Sequence, residues 1–260
     1  MIADRERSVT EAFVSLANSL VGPFDVVELL NGLTEHCAQL LDVASAGLLL
    51  ADRSDVLHVV AATSEQTRSL EMFQLQRDQG PCLECYRSGA PVSVADLETQ
   101  ADRWPQFVSA ARKVGFRSVH AIPMRLHEQR LGALGLFGTS IGALNDDDLS
   151  LGQALAHVAS VALVTGNAAA TRDTVNQQLQ TALDSRVFIE QAKGILAQQG
   201  NLDMDEAFTL LRRYARDHNQ KLTEVAQAVV SRSLPSQQVI DGRMAEPQRR
   251  PHSSDRQSGS

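Results

Sequence analysis

Aromatic side chains are scarce, at 4% of the sequence, so a core drawn from its 43% hydrophobic content must rest mainly on Ala, Val and Leu. Lysine is scarcer still: Lys113, Lys193 and Lys221 are the only ones among 24 basic residues. The three cysteines, Cys37, Cys82 and Cys85, are odd in number and follow no export signal, which excludes a disulfide scaffold and points to reduced thiols in a cytoplasmic protein. No apolar run approaches the ~20 residues of a membrane span, since residues 12–21 are interrupted by Ser15, Asn18 and Ser19. A net charge of -7 excludes a protein that coats nucleic acid over its whole surface.

The charge is unevenly placed. Residues 1–170 hold 12 basic against 20 acidic side chains, and residues 171–260 hold 12 against 11. Any nucleic-acid contact therefore belongs to a local face of the C-terminal part. Along the chain, residues 10–42 carry helical apolar spacing through Leu29, Leu30, Leu33, Cys37, Leu40 and Leu41. AGLLLA (46–51) and VLHVVAA (56–62), with Asp52 to Asp55 between them, predict a β-hairpin. Residues 64–77 predict a helix, Gly80-Pro81 a loop, 91–95 a strand, and 103–114 a helix ending at Gly115. Residues 117–126 and 130–139 predict a second hairpin. Its glycines 132, 135 and 138 suggest that something packs very close to the strand, and no lysine-bearing helix follows them as a phosphate loop requires. Asp146 to Asp148 suit the start of a long helix.

This order implies an α+β fold, an antiparallel sheet flanked by helices. The ordered set AGLLLAD, GPCLEC, PVSVADLETQADRWPQF, Gly115-Phe116 before SVHAIPMRL, and LGALGLF resembles a GAF domain over residues 8–165. The resemblance implies a sensory and dimerisation unit that takes a small-molecule effector of unspecified identity. Cys82, Trp104, Phe107 and His120 are the ligand-binding candidates. Each also has a plainer reading: Trp104 and Phe107 as core packing, His120 as a packed or hydrogen-bonded strand residue. Cys82-x-x-Cys85 lacks the second ligand pair of a structural zinc site, so no metal is expected.

Residues 179–234 divide into three helices. The first stops at Gly200-Asn201. The second begins at Asp203 with Glu206 as a capping-box partner, and the third near Thr223. Phe188, Ile189, Ala192, Ile195 and Leu196 form one stripe, and Ala207, Phe208, Leu211, Tyr214 and Ala215 a second. Val225, Ala226, Val229 and Val230 form the third. Arg186 and Lys193, seven residues apart, point within about 20° of each other, on what the wheel places as the exposed flank. From spacing alone they read as solvated helix charges. SRVFIEQAKGILAQQG, DEAFTLLRRYAR and NQKLTEVAQAVV, however, resemble an ANTAR domain. That resemblance implies binding to RNA stem-loops in nascent transcripts and antitermination of transcription. It assigns RNA contact to Arg186 and Lys193 and extends it to Lys221 and Thr223. Gly194, an interior helix glycine that costs ~1 kcal/mol against alanine, fits close approach of RNA or of another helix. Of Arg212, Arg213 and Arg216 on the second helix, one is expected to reach phosphate, with Arg212 the candidate, and the others to solubilise the helix. No acidic pair with a strand-end Asp precedes the module, so a phosphorylated receiver domain is not expected.

The sequence thus predicts a non-enzymatic, homodimeric, signal-responsive RNA-binding regulator. Its parts are a sensory domain (8–165), a helical linker (166–178), a three-helix module (179–234) and a disordered tail (235–260). Leu183 and Val187, opposite the inner stripe, are expected at the dimer seam, and the poor seam positions Thr165, Ala169, Arg172 and Asn176 at the point where a signal acts. Two alternatives stay open: a three-helix domain that binds a protein partner, and a thiol-redox sensor using Cys82 and Cys85.

Overall fold

The computed structural model describes residues 2–18, 25–165 and 172–241. A five-stranded antiparallel sheet has the order β2-β1-β5-β4-β3, with β1 Ser45–Ala51, β2 Leu57–Ala62, β3 Val92–Val94, β4 Ser118–Leu126 and β5 Gln129–Gly138. The two expected hairpins are its framework. Asp52 closes the first turn by accepting from Ser54 N (2.8 Å) and Val56 N (3.0 Å).

Successive side chains on a strand point to opposite faces, and here both faces are covered. Leu48, Leu50, Leu134, Leu136, Ile122 and Met124 face one helical layer; Leu49, Ala51, Ala133, Phe137, Val119 and Ala121 face the other. The first layer is α1 (Ile2–Asn18), α2 (Val26–Leu40) and α6 (Asp146–Thr165); the second is α3 (Glu65–Arg77), α4 (Pro81–Ser88) and α5 (Pro105–Lys113). Double coverage explains why AGLLLA reads as an unbroken apolar run: every residue of β1 is buried.

The single helix expected over 10–42 is two. The Asp25 carboxylate accepts from Val27 N at 2.9 Å and starts α2 as a separate helix. The sequence carries a break signal, Gly22-Pro23, that apolar spacing alone overlooks. The loop expected at Gly80-Pro81 is the start of α4: Pro81 fills the first helical position, where no N–H is needed, and Gly80 supplies a φ of 142°.

The C-terminal helices are α7 (Arg172–Gly200), α8 (Met204–Asp217) and α9 (Leu222–Val230). The Asp203–Glu206 capping box forms as expected. The cap expected at Thr223 does not form: Lys221 occupies that position without a side-chain cap, and Thr223 turns to another partner. The disordered tail expected from 235 is corrected over its first residues, and residues 242–260 lie outside those described. Ser236–Asp241 form α10, held because Val239 is 1% exposed and packs with Ile240 on α7 and α8. The seam positions Thr165, Ala169, Arg172 and Asn176 lie outside the residues whose side chains are described.

The apolar packing is continuous between the two halves. One cluster runs from Leu30, Leu33 and Leu155 of the sheet side to Ile189, Leu196, Leu211 and Val225 of the C-terminal helices. Helix α2 touches the sheet, α7 and α9.

The expected close approach at the strand glycines is present. A Cβ on Gly132 would collide with the backbone oxygen of Leu49 on the paired strand, which no rotamer change relieves. Gly132→Ala is therefore expected to lose about 1–3 kcal/mol or more of stability, read as a lowered urea midpoint, while alanine at Gly194, where a Cβ meets nothing within 4 Å, is expected to be neutral or stabilising.

Candidate functional site

The face of α7 that carries Arg186 and Lys193 is not exposed. Arg186 is 7% and Lys193 2% exposed, which corrects the flank assigned from the wheel. The wheel gives their common direction but not what lies opposite, and opposite lie α2, α3 and β2 of the N-terminal half. Lys193 Nζ pairs with Glu65, the first residue of α3, and with Glu190 Oε2 at 3.1 Å. Glu190 is shared: Arg186 Nη2 reaches its Oε1 at 3.0 Å and Arg68 Nη1 at 3.3 Å. Arg186 Nε and Nη1 are buried with no hydrogen-bond partner. Burial first, and the neighbouring Arg68 second, push the Arg186 pKa down to about 10.

Helix α8 adds Arg212, whose Nη2 donates to Glu28 Oε1 at 2.7 Å and whose Nη1 pairs with Glu35, both on α2. Asp205 of α8 accepts from Glu65 N at 3.1 Å; burial, then the Glu65 charge, raises its pKa. On α9, Thr223 N and Oγ1 both donate to Asp25 Oδ2, at 3.4 and 3.3 Å. The three cations share one ring: Lys193, Arg212 and Arg186 stand 5.5, 5.9 and 6.0 Å from the centroid of Phe208. A cavity of about 380 Å³ remains in the seam, lined by Glu65, Arg68, Arg186, Lys193, Phe208 and Arg212 among others.

The fold thus brings Arg186, Lys193, Arg212 and Thr223 to one face. Lys221 is exposed, next to Thr223, and Gly194 is exposed on α7 with no helix close to it. The acidic partners Asp25, Glu28, Glu35 and Glu65 were not singled out from sequence. Their only trace there is the acidic balance of the N-terminal part.

A family model described as GAF domain matches residues 25–164, more than half of the chain, and one described as ANTAR domain matches 177–230. The chain belongs to the GAF family and ends in an ANTAR domain. GAF domains are sensory, ANTAR domains are RNA-binding antitermination modules, and both are typically non-enzymatic. Among solved structures, the chain is similar to the GAF domain/HD domain protein from Geobacter sulfurreducens, with 20% identity, 54% of this chain and 93% of that one covered, and a TM-score of 0.45. It is also similar to the GAF domains of the phosphoenolpyruvate-protein phosphotransferases of Acinetobacter (12%, 63% and 97% covered, TM-score 0.46) and Coxiella burnetii (14%, 60% and 92%, 0.44). At these identities and scores nothing about ligand or activity passes to this chain. No curated protein matches it. Among the described residues no helix is long and apolar enough to cross a membrane.

In the GAF domain the four ligand candidates do not converge. Cys82, Trp104 and Phe107 are all at most 5% exposed, packed in the core under α3, α4 and α5. His120 is on the opposite face of the sheet, by alternation with Val119 and Ala121. Ser93 Oγ lies 2.6 Å from its Nδ1, and Leu144 N donates to Nε2 at 3.3 Å; burial lowers its pKa, against a backbone hydrogen bond at Gly142 that raises it. It lines a cavity of about 320 Å³ with Ser118 and the 138–145 loop.

What sequence reasoning missed is a buried polar cluster at Cys82. Glu71, fully buried on α3, receives hydrogen bonds from Gln74 Nε2 and, at 3.4 Å, from Cys82 Sγ. Gln74 Oε1 in turn accepts from Cys82 N at 3.2 Å. A Cβ on Gly47 or Gly135 would sit 2.8 or 2.6 Å from Glu71 Oε1, so these strand glycines make the room for the carboxyl. The sequence carries no signal that sets Glu71 opposite these glycines. Burial raises the Glu71 pKa to about 8, pushes that of Cys82 well up, and takes that of Cys85 to about 12. Such thiols are poor nucleophiles, which weighs against the redox alternative.

Because the folded state holds the Glu71 proton up to about pH 8, and the unfolded chain releases it near the ordinary value of about 4.3, this group's contribution is fully present below that value. It is lost as pH rises through 8. Glu71→Gln is expected to remove that loss: the stability gap between variant and parent should widen in the variant's favour from pH 5 to 8 in thermal unfolding. A gap that is constant with pH would contradict a neutral Glu71.

Proposed function

We propose that this protein is a signal-responsive RNA-binding regulator that takes hold of stem-loops in nascent transcripts and promotes antitermination. RNA contact is assigned to Arg186, Lys193, Gly194, Arg212, Lys221 and Thr223. The observation that carries this reading is the convergence of Arg186, Lys193 and Arg212 around Phe208 within the ANTAR-matched segment. A cluster of cations beside an aromatic ring is suited to backbone phosphates and to an unstacked loop base, the features a stem-loop presents. Exposed Gly194 leaves the adjoining helix surface free of a side chain, so a backbone can come close there.

The GAF domain supplies the signal in this reading, through a small-molecule effector, and the regulator acts as a homodimer without catalysis. Val187, an apolar side chain left 56% exposed on α7 beside half-buried Leu183, supports the dimer.

The test is binding of the full chain to a pool of labelled RNA hairpins with a fixed stem and a randomised loop. Exposed Lys221→Ala is expected to leave the fold untouched; Arg186→Gln and Lys193→Gln remove the charge but keep a polar side chain, and their unfolding midpoints are measured alongside because both cations are buried in ion pairs. Each is expected to weaken binding, and loss of one phosphate contact to lower the salt slope by about one. Affinity unchanged in all three variants overturns this face as the RNA site; salt-independent capture of a protein partner instead of RNA would favour the protein-binding alternative.

A further inference from the structure

Four of the six residues assigned to RNA have an acidic partner or an acidic residue's hydrogen bond across or along the seam. Lys193 meets Glu65, Arg212 meets Glu28 and Glu35, Thr223 meets Asp25, and Arg186 meets Glu190, which Arg68 of the GAF domain also holds. We infer that the GAF domain closes the RNA face of its own ANTAR module, with the carboxylates of Asp25, Glu28, Glu35 and Glu65 standing where RNA phosphates bind. This rests on the RNA-binding reading above. A carboxylate and a phosphate make the same demand on lysine, arginine and a hydroxyl, a compact anion at hydrogen-bond distance, so the two compete for the same donors. The closed arrangement described here is then the form that does not bind RNA.

Two further observations fit a contact built to open. Arg186 is held with Nε and Nη1 buried and unpartnered, so the closed form leaves polar atoms unsatisfied that water or a phosphate satisfies once the seam parts. A cavity of about 380 Å³ lies in the seam itself, so the two surfaces are incompletely packed where the charges meet. The carboxylates also stand on the elements a sensory domain can move. Glu28 and Glu35 are on α2, whose buried Leu30, Leu33 and Cys37 pack in the cluster that includes the sheet. Glu65 begins α3, whose Glu71 is seated against Gly47 and Gly135 of the sheet. A shift of either helix relative to the sheet withdraws anions from the face.

The scarcity of lysine supplies the test. Lys113 and Lys221 are exposed and Lys193 is 2% exposed, so an amine-acylating reagent read by mass spectrometry reports closure against two internal standards. In the full-length parent, Lys193 is expected to be acylated far more slowly than Lys113 and Lys221. In Glu28→Gln/Glu35→Gln/Glu65→Gln, which keeps side-chain shape, Lys193 is expected to become reactive. Affinity for the randomised-loop hairpin pool should rise about tenfold if the parent is about 90% closed. Unfolding midpoints of both proteins check that acylation reports opening and not loss of fold. A Lys193 that reacts like Lys221 in the parent, or stays protected in the variant, overturns the closure. A freed Lys193 with equal RNA affinity in both proteins overturns the masking and leaves the RNA reading standing. A freed Lys193 with no RNA binding in either protein overturns the RNA reading, and the masking with it.

Discussion

The ammonium of Lys193 sets the terms on which the two domains meet. A charge this deeply covered is tolerated only where anions surround it, because removing it from water costs several kcal/mol that close partners must offset. Glu65 comes from one domain and Glu190 from the other. While it is buried, the lysine has its second carboxylate only when α3 lies against α7, and α3 itself is seated by its buried residues. Arg212 repeats the arrangement one helix further on, with both its carboxylates on α2. The domain seam is thus specified by charges as well as by the apolar cluster beneath them. Apolar contact alone tolerates sliding; a buried cation between two carboxylates does not.

Some of this was legible in the sequence and some was not, for physical reasons. The hairpins, the capping box at Asp203 and the common direction of Arg186 and Lys193 depend on neighbours within about ten residues, which spacing records. The start of α2 also had a local signal in the sequence, Gly22-Pro23 and the capping Asp25, but apolar periodicity masked it. The burial of Lys193 is decided by Glu65, 128 residues away, and no helical wheel can say what faces a wheel position. The same holds for Glu71: an acid in an amphipathic helix reads as solvated until the fold sets it against Gly47 and Gly135. Val239 shows the reverse case, a short helix inside a polar tail that exists because α7 and α8 offer an apolar surface to it.

On one side of its sheet the GAF domain buries the thiol and aromatic candidates in its core. Cys82, Trp104 and Phe107, the side chains that sequence offered for a ligand, belong to one buried cluster with the sheet, and the Trp104 and Phe107 rings meet edge to face at 6.4 Å. The described cavities that border the candidate residues lie elsewhere, at the His120 end of the sheet and in the domain seam. The polar cluster at Glu71 fixes how α3 sits on the sheet, because its carboxyl fits only where Gly47 and Gly135 leave room.

The continuous apolar cluster has a consequence for how these domains can be recombined. Sensor and effector domains are commonly treated as beads that exchange along a chain. Here the inner surface of α2 and the inner surfaces of α7 and α9 contribute to one core. Another sensor grafted ahead of this ANTAR domain would have to present a helix of the same apolar outline and the same row of acids. Without both it would leave an oily flank and a lysine in water where this protein has neither. A substitution on the inner face of α2 is therefore felt at once by the sheet it covers and by the effector it touches.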